Sequence, residues 1–209
     1  MPTLGRFISF EGIDGSGKST QARLLADALR ATGQTVTLTR EPGGSLGAEE
    51  IRRLVLEGDA DRWSSETELL LFTAARRDHL EKTIRPALAQ GHVVITDRFA
   101  DSTRVYQGLT RADLAGTVNR LHDLMIGVEP DLTFLINIDA EQGLSRAVAR
   151  AGTELRFEGM GLDLQIKAGK GFMALAAAHP DRFRVIPGAA SVESVAKQVL
   201  ALALAHLGA

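Results

Sequence analysis

The chain has 209 residues, 24 of them basic and 26 acidic, a formal net charge of −2, and no cysteine. That length supports one sizeable core, the near-neutral balance argues against a surface that coats nucleic acid, and the lack of cysteine excludes disulfides and thiolate metal sites. No stretch reaches the roughly 18 uncharged apolar residues of a membrane span, and MPTLGRFISFEG has no long apolar leader, so the expectation is a soluble, cytoplasmic protein with no membrane partner.

In chain order, RFISF (6–10) reads as a strand. GIDGSGKS (12–19) follows and fits the phosphate-binding pattern G-x-x-x-x-G-K-[ST]. Residues 19–33 then read as a helix, with Leu24, Leu25, Ala28 and Leu29 on one face. QTVTLT (34–39) is the second strand, and REPGGSLG (40–47) reads as a mobile loop. Ile51, Leu54 and Val55 mark one helix, while Leu69, Leu70, Phe72, Thr73 and Arg76 mark a longer one, broken near Pro86. HVVIT (92–96), LTFLINI (132–138) and FRVI (183–186) are the remaining strands, and Ser191 caps a terminal helix to Leu207. Near-continuous apolar strands separated by helices predict an α/β fold of the P-loop NTPase type. It has three layers, a five-stranded parallel sheet flanked by helices, and a small lid. One domain spans 1–209, with the Gly-rich basic stretch at about 146–171 as the lid. An ordinary surface helix-turn-helix is the alternative for that stretch.

The loop pattern predicts that Gly12, Gly15, Ser16, Gly17, Lys18, Ser19 and Thr20 hold nucleotide phosphates at a helix N-terminus. Lys18 reaches the β- and γ-phosphates and the Ser19 hydroxyl reaches magnesium. A GTPase of the common type needs N-K-x-D, but Asn137 is followed by Ile138 and Asp139. A motor domain is usually longer, so a small-molecule kinase fits best. Asp97 and Arg98 follow the third strand at its carboxyl end, where open parallel sheets bind ligands. Asp97 suits magnesium held through water, and Arg98 suits a bidentate phosphoryl contact; a strand-end salt bridge is the alternative. Asp14 sits inside the loop, where a carboxylate repels polyphosphate unless a metal or a proton intervenes. Glu11 either joins the site or anchors the loop. Phe72 and Arg76, four apart on one helical face, fit base recognition or a core Phe beside a snorkelling Arg equally well. Tyr106, beside a glycine break at Gly108, either lines a nucleoside pocket or packs a helix end.

Taken together, FEGIDGSGKSTQ, TREPGGSLGAEEIRRLVL (39–56), LLLFTAARRDHLEKTIRPALAQGHVVITDRFADSTRVYQG (69–108), PDLTFLINID (130–139) and RFE with FMALA (156–158, 172–176) closely resemble the bacterial thymidylate kinase family. The resemblance implies transfer of the γ-phosphoryl of ATP to dTMP, with Mg2+, in a homodimer; the alternative acceptor is another (deoxy)nucleoside monophosphate or a deoxynucleoside. It implies that Phe72 stacks on thymine and Arg76 hydrogen-bonds a ring carbonyl. Arg98 holds the acceptor phosphate, and Thr103 and Gln107 face the base. Tyr106 packs on the deoxyribose, while Glu41 and Pro42 shape the pocket. Asp14 organises the metal or acts as acceptor-side base, and Asp97 supports the metal. The loop's only cation is Lys18, so Arg150 and Arg156 of the lid are expected to close over the transferring group, with Arg146 a weaker candidate. Three positions depart from the family pattern: Gly169 stands where a second lid-side arginine is expected, Phe99 where tyrosine or histidine is frequent, and Leu164 where an aromatic is usual. For Gly169 three readings compete: Lys167 or Lys170 compensates, the arginine is dispensable given Arg150 and Arg156, or turnover is weakened.

Overall fold

The computed structural model describes residues 5–59, 61–110, 114–149 and 161–208. Its sheet has five parallel strands in the order β2-β3-β1-β4-β5. They are β1 (Arg6–Glu11), β2 (Val36–Arg40), β3 (Val93–Asp97), β4 (Leu132–Asn137) and β5 (Phe183–Pro187). All five expected strands are present. β2 begins two residues later than expected because the Gln34 N–H donates to Leu29 O and so caps the preceding helix.

Nine α-helices occur among the described residues: α1 (Lys18–Ala31), α2 (Leu46–Leu56), α3 (Ser65–His79), α4 (Arg85–Ala89), α5 (Ala100–Thr103), α6 (Ala115–Met125), α7 (Ala140–Ala149), α8 (Gly161–Ala178) and α9 (Val192–Leu207). Ser45, Ser64 and Ser191 each cap a helix by accepting a backbone N–H three residues on. Ile8, Phe10, Phe134 and Ile186 pack on Leu25 and Leu29 of α1 and on Val195 and Val199 of α9. On the other face Phe7 and Val94 meet Leu80, Ile84 and Phe99, and Leu135 meets Val105 and Phe172. Covered on both faces, the central strands have no polar side to show, which is why they read as apolar runs. Phe10 is fully buried at the centre; its truncation to Ala would cost about 3–5 kcal/mol.

Three local expectations are corrected. The helix is not broken at Pro86: α3 runs into a π-helical turn (Leu80–Ile84), and Pro86 sits in the first turn of α4. Pro86 has no N–H to donate and its ring crowds the preceding turn, so the wider turn absorbs both defects without ending the helix. Gly108 likewise breaks nothing, since a second π-helical segment runs through it (Arg104–Thr110). The 40–47 loop is tied down. Thr83 Oγ1 donates to Gly44 O at 2.7 Å, Ser45 Oγ to Asp78 Oδ2 at 2.6 Å, and the Gly44 N–H to Glu49 at 3.0 Å; the Glu41–Pro42 peptide is cis.

The chain leaves β1 towards β2 on one side and later crosses to β4 on the other. That reversal opens a crevice at the carboxyl ends of β1 and β3, where the phosphate loop and Asp97–Arg98 meet. No helix among the described residues is long and apolar enough to cross a membrane.

Candidate active site

The phosphate loop joins β1 to α1. Gly15 is required twice over: its φ is +75°, and a Cβ there would lie 1.9 Å from Gly143 O on α7. Gly17 ends the loop in a left-handed conformation, with no side chain capping α1. The first N–H groups of that helix therefore face the loop, where an anion is favoured. Lys18 folds back so that Nζ donates to Ile13 O at 3.0 Å and lies 4.0 Å from Asp14. Burial and Arg98 pull its pKa down to about 8. Ser19 is exposed and Thr20 half-buried at the helix start. Ser16 Oγ and Asp97 Oδ1 are buried without a hydrogen-bond partner among the described residues.

That open carboxylate oxygen fits a hard cation that prefers oxygen and keeps water and phosphate ligands. Asp97 and the Ser19 hydroxyl are the residues that would hold it. Asp14 is less open. Its Oδ1 accepts from Arg98 Nη2 at 2.5 Å and its Oδ2 from Gln165 Nε2 at 3.1 Å. Burial pushes the Asp14 carboxyl up, but Arg98 and Lys18 more than offset it and hold the group below its usual range.

Arg98 is the one described non-glycine residue with positive φ, at 71°. Such backbone strain survives only where the surroundings over-determine it. The Arg98 N–H donates to Phe10 O at 2.9 Å, Nη1 to Ser102 Oγ at 2.9 Å, and the guanidinium lies 5.3 Å from the Tyr106 ring centre. Beneath it Glu11 accepts the N–H of Phe99 at 2.8 Å and the hydroxyl of Ser102 at 2.6 Å. Burial, with Asp101 nearby, raises the Glu11 pKa to about 7. Glu11 thus anchors the segment after β3 and not the phosphate loop, the anchoring partner expected from sequence.

Next to Arg98 lies a cavity of about 150 Å³. Glu41, Pro42, Phe72, Arg76, Arg98, Thr103, Tyr106 and Gln107 all line it, together with Asp14, Arg52, Leu56, Phe99 and Ser102. Arg76 is 5 % exposed and is no snorkelling side chain. Its Nε donates to Glu41 Oε2 at 2.7 Å, and its Nη2 to Phe99 O at 3.1 Å and Thr103 Oγ1 at 3.0 Å. His79 Nδ1 donates to Glu41 Oε1 at 3.0 Å, and its Nε2 is hydrogen-bonded to the Thr39 hydroxyl at 2.7 Å. Burial opposes the Glu41 charge, yet Arg76 and His79 hold its pKa below the usual carboxylate range. Gln107 donates to the buried Glu68 at 2.8 Å.

Ser102, His79, Glu68, Arg52, Leu56 and Gln165 were not singled out from sequence. Glu68 lies four residues before Phe72, so the spacing that flagged Phe72 and Arg76 extends to it. Arg52 and Leu56 share a face of α2 in the same way, and Arg52 donates to Pro42 O. Gln165, 151 residues from Asp14 in the chain, carries no local signal. Arg150 and Arg156 lie outside the described residues. Arg146, on α7, donates to Gly188 O at 3.4 Å. Residues 161–171 form the first turns of α8, and Gly171 packs against Val105. A Cβ on Gly169 would meet Ile13 at 3.8 Å, an ordinary contact, while Lys167 and Lys170 are exposed. Phe99 stacks edge-on against Phe7 at 4.9 Å, and Leu164 is buried.

The family profile described as Thymidylate kinase matches residues 10–199. The chain is 65 % identical over 207 residues to the thymidylate kinase of Ruegeria pomeroyi, covering 99 % of this chain and 98 % of that one. It is 66 % identical over 197 residues to that of Dinoroseobacter shibae, covering 94 % and 95 %. The crystal structure of thymidylate kinase from Ehrlichia chaffeensis superposes with a TM-score of 0.77 at 38 % identity, over 96 % of this chain and 98 % of that one. The chain belongs to the thymidylate kinase family.

Proposed function

We propose that the chain transfers the γ-phosphoryl group of ATP to dTMP, giving dTDP and ADP. Its family membership supports the activity. The observation that carries the residue assignments is the convergence of all eight expected acceptor-site side chains on one cavity, which Asp14 of the phosphate loop also lines, paired with Arg98.

Phosphoryl transfer asks little covalent chemistry of a protein. It must bring two anions into line and offset the charge between them. Lys18 and the loop N–H groups take the donor phosphates; Lys18 exchanges its present bond to Ile13 O for a phosphate oxygen. Magnesium, held at Ser19 and Asp97, would neutralise charge on the β- and γ-phosphates. Arg98 takes the acceptor phosphate. It is already paired with Asp14, so an arriving dianion competes with that carboxylate and leaves Asp14 beside the attacking oxygen.

Phe72 stacks on thymine, and Arg76, fixed by Glu41, Phe99 O and Thr103, donates to a ring carbonyl. Gln107 faces the base and Tyr106 packs on the deoxyribose. Arg150 and Arg156 supply the remaining positive charge from a lid that excludes water; Gly169 supplies none. The working unit is a cytoplasmic homodimer.

An acceptor panel tests the assignment. With ATP saturating, ADP release is followed with dTMP, dUMP, dCMP, dGMP and AMP. The expected result is the highest kcat/KM for dTMP. A higher value for another acceptor would move the assignment to that nucleotide.

A further inference from the structure

The geometry points to Gln165 as a positioning residue for phosphoryl transfer, acting through Asp14 and coupling α8 to the phosphate loop. This rests on the reading of Asp14 as the carboxylate at the reacting phosphates. Gln165 is 1 % exposed and stands in the second turn of α8, which begins at Gly161, just after the 150–160 segment. Both polar atoms of its amide are spent on one residue. Oε1 accepts the Asp14 backbone N–H at 3.2 Å, and Nε2 donates to Asp14 Oδ2 at 3.1 Å.

The chemistry selects an amide. Asp14 presents one donor and one acceptor side by side, so its partner must accept and donate at once. A glutamate in this place could accept the N–H but would set a second carboxylate against the first. An aliphatic side chain would leave both partly buried Asp14 groups without this partner.

The bond matters for the reaction because of what faces the other oxygen. Oδ1 is held by Arg98, with Lys18 at 4.0 Å. When an acceptor phosphate takes over Arg98, Asp14 loses that partner. Gln165 is then the group that keeps the carboxylate from rotating and keeps Oδ1 directed at the incoming oxygen. Because α8 carries Gln165, this contact, together with the packing of Ala168 and Phe172 around Ile13, ties that helix to the loop.

Two variants and a double-mutant cycle test the assignment. Gln165→Leu removes both bonds at similar volume, and Gln165→Glu keeps the shape and the acceptor. Each is expected to lower kcat about tenfold, the rate equivalent of one lost charge-assisted hydrogen bond, with KM for ATP and for dTMP within about twofold of wild type. In an Asp14→Asn background the same substitutions should lower kcat by less than about twofold, since the group being positioned is gone. Equal losses in both backgrounds, or a lowered Tm with unchanged kcat, would overturn the inference. If Gln165→Leu fails to fold, the isosteric Gln165→Glu carries the cycle alone. The wild-type rate with dTMP keeps the two readings apart: an inactive wild type defeats the functional assignment, whereas an active wild type with unaffected variants defeats only the role of Gln165.

Discussion

The acceptor cavity and the phosphate loop are built on different principles. The cavity is made of side chains, and each is locked by another: Arg76 by Glu41, Phe99 O and Thr103; Glu41 by His79; Gln107 by Glu68. The loop is made of backbone. Its side chains are either turned onto the protein, as Lys18 is onto Ile13 O, or left open, as Ser16 Oγ is, and Asp97 Oδ1 at the end of the neighbouring β3 is open too. A base is neutral and is distinguished by its edges, so its site needs fixed donors whose cost of ordering is met on folding. Polyphosphate is a charge of near-fixed shape, and it brings magnesium with it, so a nest of N–H groups and a few movable cations suffice. The cavity should therefore be complete before ATP arrives, while the loop becomes complete only with it. Arg98 and Asp14 form the seam between the two.

The comparison breaks most sharply at the loop's own cation. Lys18→Met should lower kcat by about 10³-fold and leave dTMP affinity within a few-fold. Stopped-flow ADP release with parallel dTMP titration measures both, and an equal loss in dTMP affinity would merge the two regions into one. Arg98→Ala, at the seam, should lower kcat/KM for dTMP by about 10²-fold, while inorganic phosphate should lose its competition with dTMP.

Glu11 stitches the loop's strand to the segment after β3, and its effect is on stability. Its folded pKa of about 7 lies above the ordinary 4.5, so folding favours the protonated form. The stability this contributes is fully present below about pH 4.5 and is lost as pH rises through about 7. Glu11→Gln mimics the protonated side chain, so between pH 5 and pH 8 wild type should lose about 2 kcal/mol relative to the variant. Urea melts at the two pH values give the difference, and parallel pH profiles for the two proteins would rule the linkage out. Smallest, and most selective, is Phe72→Ala. It should raise KM for dTMP about tenfold by removing one stacking contact, with KM for ATP unchanged.

Much of this was legible in the sequence, and the reason differs by region. The sheet could be read because strands buried on both faces leave continuous apolar runs such as HVVIT and LTFLINI. The loop could be read because its glycines are forced by geometry, Gly15 against Gly143 most plainly. What misled was local composition. REPGGSLG looks mobile from its glycines, yet Glu49 of α2, Asp78 of α3 and Thr83 of the π turn after α3 hold it. Pro86 looks like a helix end, yet a π turn carries the chain past it. The cavity's residues could be named from the family resemblance but not from spacing, because Phe72 and Arg76 alone fit a core helix equally well. Glu68 was within reach of the same four-residue spacing. Gln165 was not: its partnership with Asp14 spans 151 positions and exists only in the fold.

With its side chains fixed by one another, the acceptor cavity stands complete without ATP. Calorimetric titration of dTMP into the nucleotide-free protein tests it most directly, repeated with a non-hydrolysable ATP analogue present. Binding is expected in both cases, with dissociation constants within a few-fold of each other. Binding of dTMP only when the analogue is present would contradict it, and would mean that the donor site builds the acceptor site.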